Sequence, residues 1–316
     1  MLFYNFFFMF KDFKNRIQYG FLIMFAGLVN IVPYRVLLAL AWFVAAFLFY
    51  VVRMRRKKVT HRIRSVFGDG MSEREVQRIT WVSLRNFAFN VVEMMRASHI
   101  TKKWVNAHVP GFEEQIPRAK ELVAQHGGLI FAVPHMGNWD MAGWACSYNG
   151  VNIFSIAARQ RNPYINAWIM RQREKGIKML ERGGSTLKQV IKNLKSGQVF
   201  AILPDVRMRR EDLEVPFLGG VANLGRGMAA FAIAANVPIV PAVFMRKGWT
   251  KHEFVHFDPL YPDPTLEKDA DIMRMTKAVM KTIDAAIRRN PEQWFWYNGR
   301  WILDPVSKST KGEKKS

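Results

Sequence analysis

A chain of 316 residues suffices for one large domain or two modest ones. Half of its residues are hydrophobic and 13% are aromatic, which excludes wholesale disorder. Its net charge of +22, with a pI of about 10.3, either serves a partner, with nucleic acid, an anionic membrane surface and an acidic protein as the candidates, or is tolerated as self-repulsion.

The first 64 residues are the most unusual. Residues 17–34 carry no charge, nor does Val36–Val52, "VLLALAWFVAAFLFYVV", and only Arg35 separates the two runs. Seven Lys/Arg follow between Arg53 and Arg64, and no acidic residue occurs between Asp12 and Asp69. An apolar run of 17 residues is at the short limit for a membrane span, since roughly 20 residues cross a bilayer. The basic cluster suits the anionic cytoplasmic side of a membrane. Late positive charges and the absence of a small-residue cleavage site argue against a signal peptide. One span, a monotopic apolar wedge and a buried core helix are the alternatives at this stage. Pro33 and Arg35 argue against a second full span over 17–34.

Ser72 and Glu75 form a capping-box pattern, which predicts a helix to about Met95 with Trp81, Leu84, Phe87, Phe89 and Val92 mostly inward. Strand-like apolar runs follow at Leu129–Val133, Val151–Ala157, Val199–Leu203 and Pro238–Met245. Nearly continuous apolar runs are expected of strands covered on both faces. Helical stretches lie between them, near 139–148, 163–176, 185–195 and 226–236, with Ser185 as a predicted cap and Gly197 as a stop. A last helix spans about Ala270–Arg289. This alternation predicts an α/β fold: a mostly parallel central sheet flanked by helices on both faces. The expected organisation is an N-terminal membrane anchor with basic flank (1–64), a catalytic domain (65–303) and a basic, disordered tail (304–316).

Ligands of open α/β sheets bind beyond the C-terminal ends of the strands. His135 follows the first predicted strand, Arg159 and Arg161 the second, and Asp205 the third. A neutral histidine is a general base near pH 7, and a carboxylate on its other ring nitrogen fixes the tautomer. Asp140, in the first turn of the next helix, is the predicted carboxylate. No nucleophile is implied by the spacing, so the base would activate a hydroxyl of the substrate. N–H groups around Gly137–Trp139 are candidates for stabilising an oxyanion. The seven histidines contain no HExxH pattern, and no metal is expected. His252 and His256 read as exposed polar residues of a hairpin. "GGVANLGRG" (219–227) matches no nucleotide-binding pattern and reads as a tight turn near a ligand. Cys146, the lone cysteine, reads as a small buried residue; it excludes an intrachain disulfide and a thiolate-rich zinc site.

"HMGNWD" (135–140), "RQRNP" (159–163), "LPDVRMRREDLEVPFLGG" (203–220), "VPIVPAVF" (237–244) and "PEQWFWYNGRW" (291–301) together resemble the late lipid A acyltransferases. That family is of the His-x4-Asp type and includes phosphatidylinositol mannoside acyltransferases. The resemblance covers about residues 20–303. It implies a glycerolipid acyltransferase-like fold on the cytoplasmic face of the inner membrane. The implied reaction moves a fatty acyl chain from acyl carrier protein or coenzyme A to a hydroxyl of a lipid A precursor. His135 matches the family's base and Asp140 its orienting acid. Asp205 matches the acidic residue beyond the third strand, and Arg159, with Arg161 as fallback, the arginine before Asn-Pro. Asn138, Arg159, Arg161, Asp205 and Arg226 are the substrate-binding candidates, the arginines for phosphates. No cofactor is implied beyond the thioester co-substrate.

"PHMGNWD" also looks like the mannoside branch, so phosphatidylinositol mannosides or a lysophospholipid are the alternative acceptors. The basic charge then serves lipid head groups or an acidic carrier protein. Of the rivals, a nucleic-acid binder lacks any reading motif, and a non-catalytic lipid-binding protein of the same fold would not need His135.

Overall fold

The computed structural model describes residues 2–181 and 183–305. The predicted tail from Val306 onward lies outside the described residues. The chain opens with α1 (Leu2–Ile31) and α2 (Tyr34–Ala46), and α2 is prolonged by a wider helical turn to Val51. Pro33 separates them; it sits at φ −56°, ψ 139° and has no N–H to continue α1. α3 (Arg56–Phe67) and α4 (Glu73–Met95) come next. Ser72 caps α4 as predicted, its hydroxyl accepting from Glu75 N–H at 3.3 Å.

After α5 (Lys102–His108) and α6 (Phe112–His126) the chain alternates: β1 (Leu129–Ala132), α7 (Trp139–Tyr148), β2 (Ile153–Ala157), α8 (Pro163–Arg173), β3 (Lys178–Glu181), α9 (Thr186–Lys195), β4 (Val199–Ile202). A hairpin of β5 (Leu213–Phe217) and β6 (Gly220–Leu224) leads to α10 (Gly227–Ala235), β7 (Ile239–Lys247), β8 (Lys251–His256) and α11 (Lys268–Arg289). One sheet holds six strands in the order β3-β2-β4-β1-β7-β8, parallel but for the β7–β8 pair.

The pleat explains why the central strands are apolar throughout. Ile130 and Ala132 of β1 enter a core shared with α9, α10 and α11, while Leu129 and Phe131 enter one shared with α5, α6 and α7. The predicted parallel sheet with helices on both faces is therefore what forms. β3 escaped the periodicity because "KMLE" at the sheet edge buries only Leu180. Ser185 stands at the start of α9 as predicted, but its side chain makes no capping hydrogen bond; the Thr186 hydroxyl accepts from Gly183 N–H in the preceding turn. The glycine-rich segment 219–227 is mostly not a turn: Gly220–Leu224 form β6 and Gly227 opens α10, and only Gly219 (φ 80°), with the preceding Leu218 (φ 52°), makes the left-handed pair of the β5–β6 hairpin turn. His252 departs from expectation: it is buried on β8, its ring stacked on Phe244.

The N-terminal helices do not stand apart. α2 buries Leu37, Leu38, Ala41 and Ala45, and the first three pack with Phe89 and Val92 of α4. Val59, Ile63 and Val66 of α3 join the main core, so residue 64 falls inside a packed helix. Tyr34–Val51 is long and apolar enough to cross a membrane by length and composition.

Candidate active site

β4 lies between β1 and β2 in the sheet, and its register pairs Ala132 with Ile202. His135 and Asp205 each stand three residues beyond that pair, side by side at the C-terminal edge. The His135 Nδ1–H donates to Asp205 Oδ1 at 2.8 Å, and the His135 backbone N–H donates to Oδ2 at 2.8 Å. The Trp294 indole N–H also donates to Oδ2, at 2.8 Å. Asp205 is fully enclosed, whereas the His135 side chain keeps 22% of its surface exposed. Burial alone would raise the Asp205 carboxyl. The neighbouring His135 ring, when charged, and the three donors outweigh it and hold the group below its ordinary value. With Nδ1 committed, Nε2 is the nitrogen left to face solvent or substrate, and no partner holds it among the described residues.

Asp140 is not the acid that orients His135. Its carboxylate takes a two-pronged bond from Arg173 at the end of α8, at 2.7 and 3.3 Å. Sequence proximity favoured Asp140, but the β1–β4 pairing brings a carboxylate from 70 residues away onto Nδ1. Asp140 instead ties the start of α7 to α8, and its charge raises the Arg173 pKa.

Asn138 caps α7, its side-chain oxygen accepting from Met141 N–H at 3.0 Å. Gly137 N–H is unavailable for an oxyanion because it donates to Gln293 O at 2.8 Å. The N–H groups of Asn138 and Trp139 have no partner among the described residues, and they sit at the positive end of α7. The Trp139 ring meets His135 edge-on, centroids 5.0 Å apart.

The segment 293–296 packs against both Asp205, through the Trp294 indole, and the turn that carries His135. Phe295 N–H donates to His135 O at 2.8 Å, and Met136 pairs with Trp294 as an antiparallel bridge. Trp294 is the site residue that strand-end reasoning missed, since it follows no strand. The only sequence signal for it was the tryptophan-rich "PEQWFWYNGRW".

The remaining candidates lie elsewhere. Arg159 and Arg161 line a cavity of about 740 Å³ between α1 and α8, with Lys11, Asn166 and Arg171. His135 and Asp205 are not among its lining residues. The Asn-Pro of "RQRNP" starts α8: Asn162 accepts from Tyr164 and Ile165 N–H, and Pro163 takes the first helical position. Arg226 is held by Asp212 at 2.9 Å and Asp269 at 3.4 Å. Cys146 is buried as predicted, and burial pushes its thiol up to about 12.

A partly exposed histidine, one ring nitrogen held by a buried carboxylate, thus stands at the C-terminal edge of a mostly parallel sheet, where open α/β folds bind their ligands. The family follows from comparison with known proteins. Residues 11–302 match the bacterial lipid A biosynthesis acyltransferase model, and the chain belongs to that family. It is 24% identical over 198 residues to a phosphatidylinositol mannoside acyltransferase of Mycobacterium tuberculosis (strain CDC 1551 / Oshkosh), covering 60% of this chain and 59% of the relative. The phosphatidylinositol mannoside acyltransferase of Mycolicibacterium smegmatis is 24% identical over 183 residues, 56% of this chain and 58% of its own. Lipid A biosynthesis acyltransferase 2 of Shigella flexneri is 22% identical over 189 residues, 56% of each chain. Each match thus spans less than two thirds of the relative's length.

Proposed function

We propose that this protein transfers a fatty acyl group from a thioester to a hydroxyl of a lipid, with His135 as general base. The His135–Asp205 pair carries the reading, because it leaves Nε2 as a base at a ligand-binding sheet edge. In this mechanism Nε2 takes the proton of the acceptor hydroxyl as its oxygen bonds to the thioester carbonyl carbon. The Asn138 and Trp139 N–H groups stabilise the oxyanion that forms. Collapse of the tetrahedral intermediate breaks the C–S bond, and the imidazolium returns its proton to the departing thiolate. Asp205 stays ionised and stabilises the imidazolium.

The acceptor proposed first is a lipid A precursor, supported by the family that the chain matches over residues 11–302. A phosphatidylinositol mannoside is the second reading, favoured by the 24% identity to the mycobacterial proteins against 22% to the lipid A enzyme. The exposed apolar faces of α1 and α2, including Phe21, Phe43 and Phe47, support a seat on the membrane beside the basic α3. On this reading the seat is the cytoplasmic face of the inner membrane, where acyl carrier protein and coenzyme A thioesters are accessible.

The test is direct. Detergent-purified protein is offered palmitoyl-coenzyme A or palmitoyl-acyl carrier protein with each acceptor, and lipids are analysed by mass spectrometry. One acyl increment on one acceptor, absent with His135→Ala, supports the proposal and identifies the donor. Absence of any acylated lipid in every combination would remove it.

A further inference from the structure

The turn bearing His135 rests on a buried polar cluster that the chemistry just described does not use. Two residues of α4 one turn apart, Asn90 and Glu93, point at it from beneath. Asn90 Nδ2 donates to Gly137 O at 2.5 Å, and Asn138 Nδ2 donates to Glu93 Oε2 at 2.5 Å. Arg246 of β7 locks both. Its guanidinium donates to Glu93 Oε1 at 2.8 Å and Oε2 at 2.5 Å, and to Asn90 Oδ1 at 2.8 Å. Glu93, Arg246 and His252 are all buried, and His252 Nε2 lies 3.4 Å from Glu93 Oε1.

We propose that Asn90 and Glu93, held by Arg246, are positioning residues that set the Gly137–Asn138 turn and thereby aim the Asn138 and Trp139 N–H groups at the reacting carbonyl. Polarity dictates the arrangement. A carboxylate only accepts, so Glu93 turns the Asn138 amide with its NH₂ inward and its oxygen toward Met141 N–H. Asn90 must then present oxygen to Arg246 and nitrogen to Gly137 O. Each amide is thus fixed in one orientation, and both peptide planes flanking the turn inherit it. Gly137 has no latitude of its own: at φ +56° its α-carbon lies so close to β7 that a Cβ would come within 1.9 Å of Phe244 O. A buried ion pair is a poor source of stability but a good source of geometric specificity, which is what an oxyanion site requires.

The proposal rests on the acyl-transfer reading for its kinetic arm only. Asn90→Ala removes the donor to Gly137 while Glu93 and Arg246 keep their two-pronged pair, so the fold should survive. Asn90→Asp also keeps an acceptor for Arg246. With palmitoyl-coenzyme A as donor, both should lower kcat by about tenfold or more with KM within about twofold, as a small misplacement of catalytic groups does. Hydrogen exchange should quicken at Met136 and Gly137, whose N–H groups are bonded in the turn, and stay unchanged in α11 and β7. A kcat within about twofold of the parent, or unaltered exchange at Met136 and Gly137, overturns the proposal. So does acceleration spread over α11 and β7, which would mark Asn90 as a general fold residue. Should the unmodified protein transfer nothing, the functional reading fails while the exchange measurement still decides the positioning role.

Discussion

Two carboxylates near one histidine have different work, and substitution separates them. Asp205→Asn keeps the shape but lets the ring take the wrong tautomer; acyl transfer should fall by about 10³–10⁴-fold, as in comparable His–Asp pairs. His135→Ala should lose at least about 10²-fold. Both variants should retain the parent circular dichroism, and transfer within tenfold of the parent for His135→Ala would rule out the base. Asp140→Ala instead strands the partly buried Arg173 guanidinium, at a stability cost of roughly 1–3 kcal/mol. Urea unfolding should show that loss, and Arg173→Met in the same chain should recover much of it. No recovery would return Asp140 to a role other than tethering. The depressed Asp205 pKa also sets a sign. Because the folded carboxyl binds protons less readily than the unfolded one, its stabilisation is present above the unfolded value, about 3.9. It is lost as pH falls through the lower folded value. Acid unfolding followed by circular dichroism should thus be steeper below about pH 4 for the parent than for Asp205→Asn.

Among the elements, the turn between β1 and α7 is the least tolerant. Its ends are tied to β4 through Asp205, to the 293–295 segment through Gln293 and Phe295, and to α4 through Asn90 and Glu93. Gly137→Ala would meet β7 backbone, which cannot move aside, and adds a Cβ at positive φ. It should cost at least about 3 kcal/mol in thermal or urea unfolding, beyond the usual range for point changes. A parent-like unfolding midpoint would show that β7 gives way. Much of this level was legible beforehand. Ser72 capped its helix and the apolar runs became strands, because caps and burial patterns are local. The edge strand β3 was not, because an edge strand has little to bury.

Over the whole molecule, α1 and α2 divide between two surroundings. Leu38 and Ala45 are fully buried against the domain, while Phe21, Phe43 and Phe47 are more than half exposed. An apolar run packed on one side and bare on the other suits a wedge lying in the membrane surface better than a free-standing span. Phe21→Glu, Phe43→Glu and Phe47→Glu combined should therefore release the protein from vesicles containing anionic lipid, since each buried aromatic contributes about 1.5–3 kcal/mol. Cosedimentation in high salt is the measurement, and undiminished binding of the triple variant would sink the wedge.

By itself the sequence determined the alternating layers, the apolar N-terminus, the family resemblance and His135 at a strand exit. Those features arise from runs of neighbours, where burial, capping and strand termination act within a few residues. Only the tertiary structure decided which acid serves His135, that Trp294 joins it, and that His252 is interior. Sheet order settled the first: β4 forms late in the chain yet inserts beside β1, so residues 70 apart share a hydrogen bond while the carboxylate five residues away turns to Arg173.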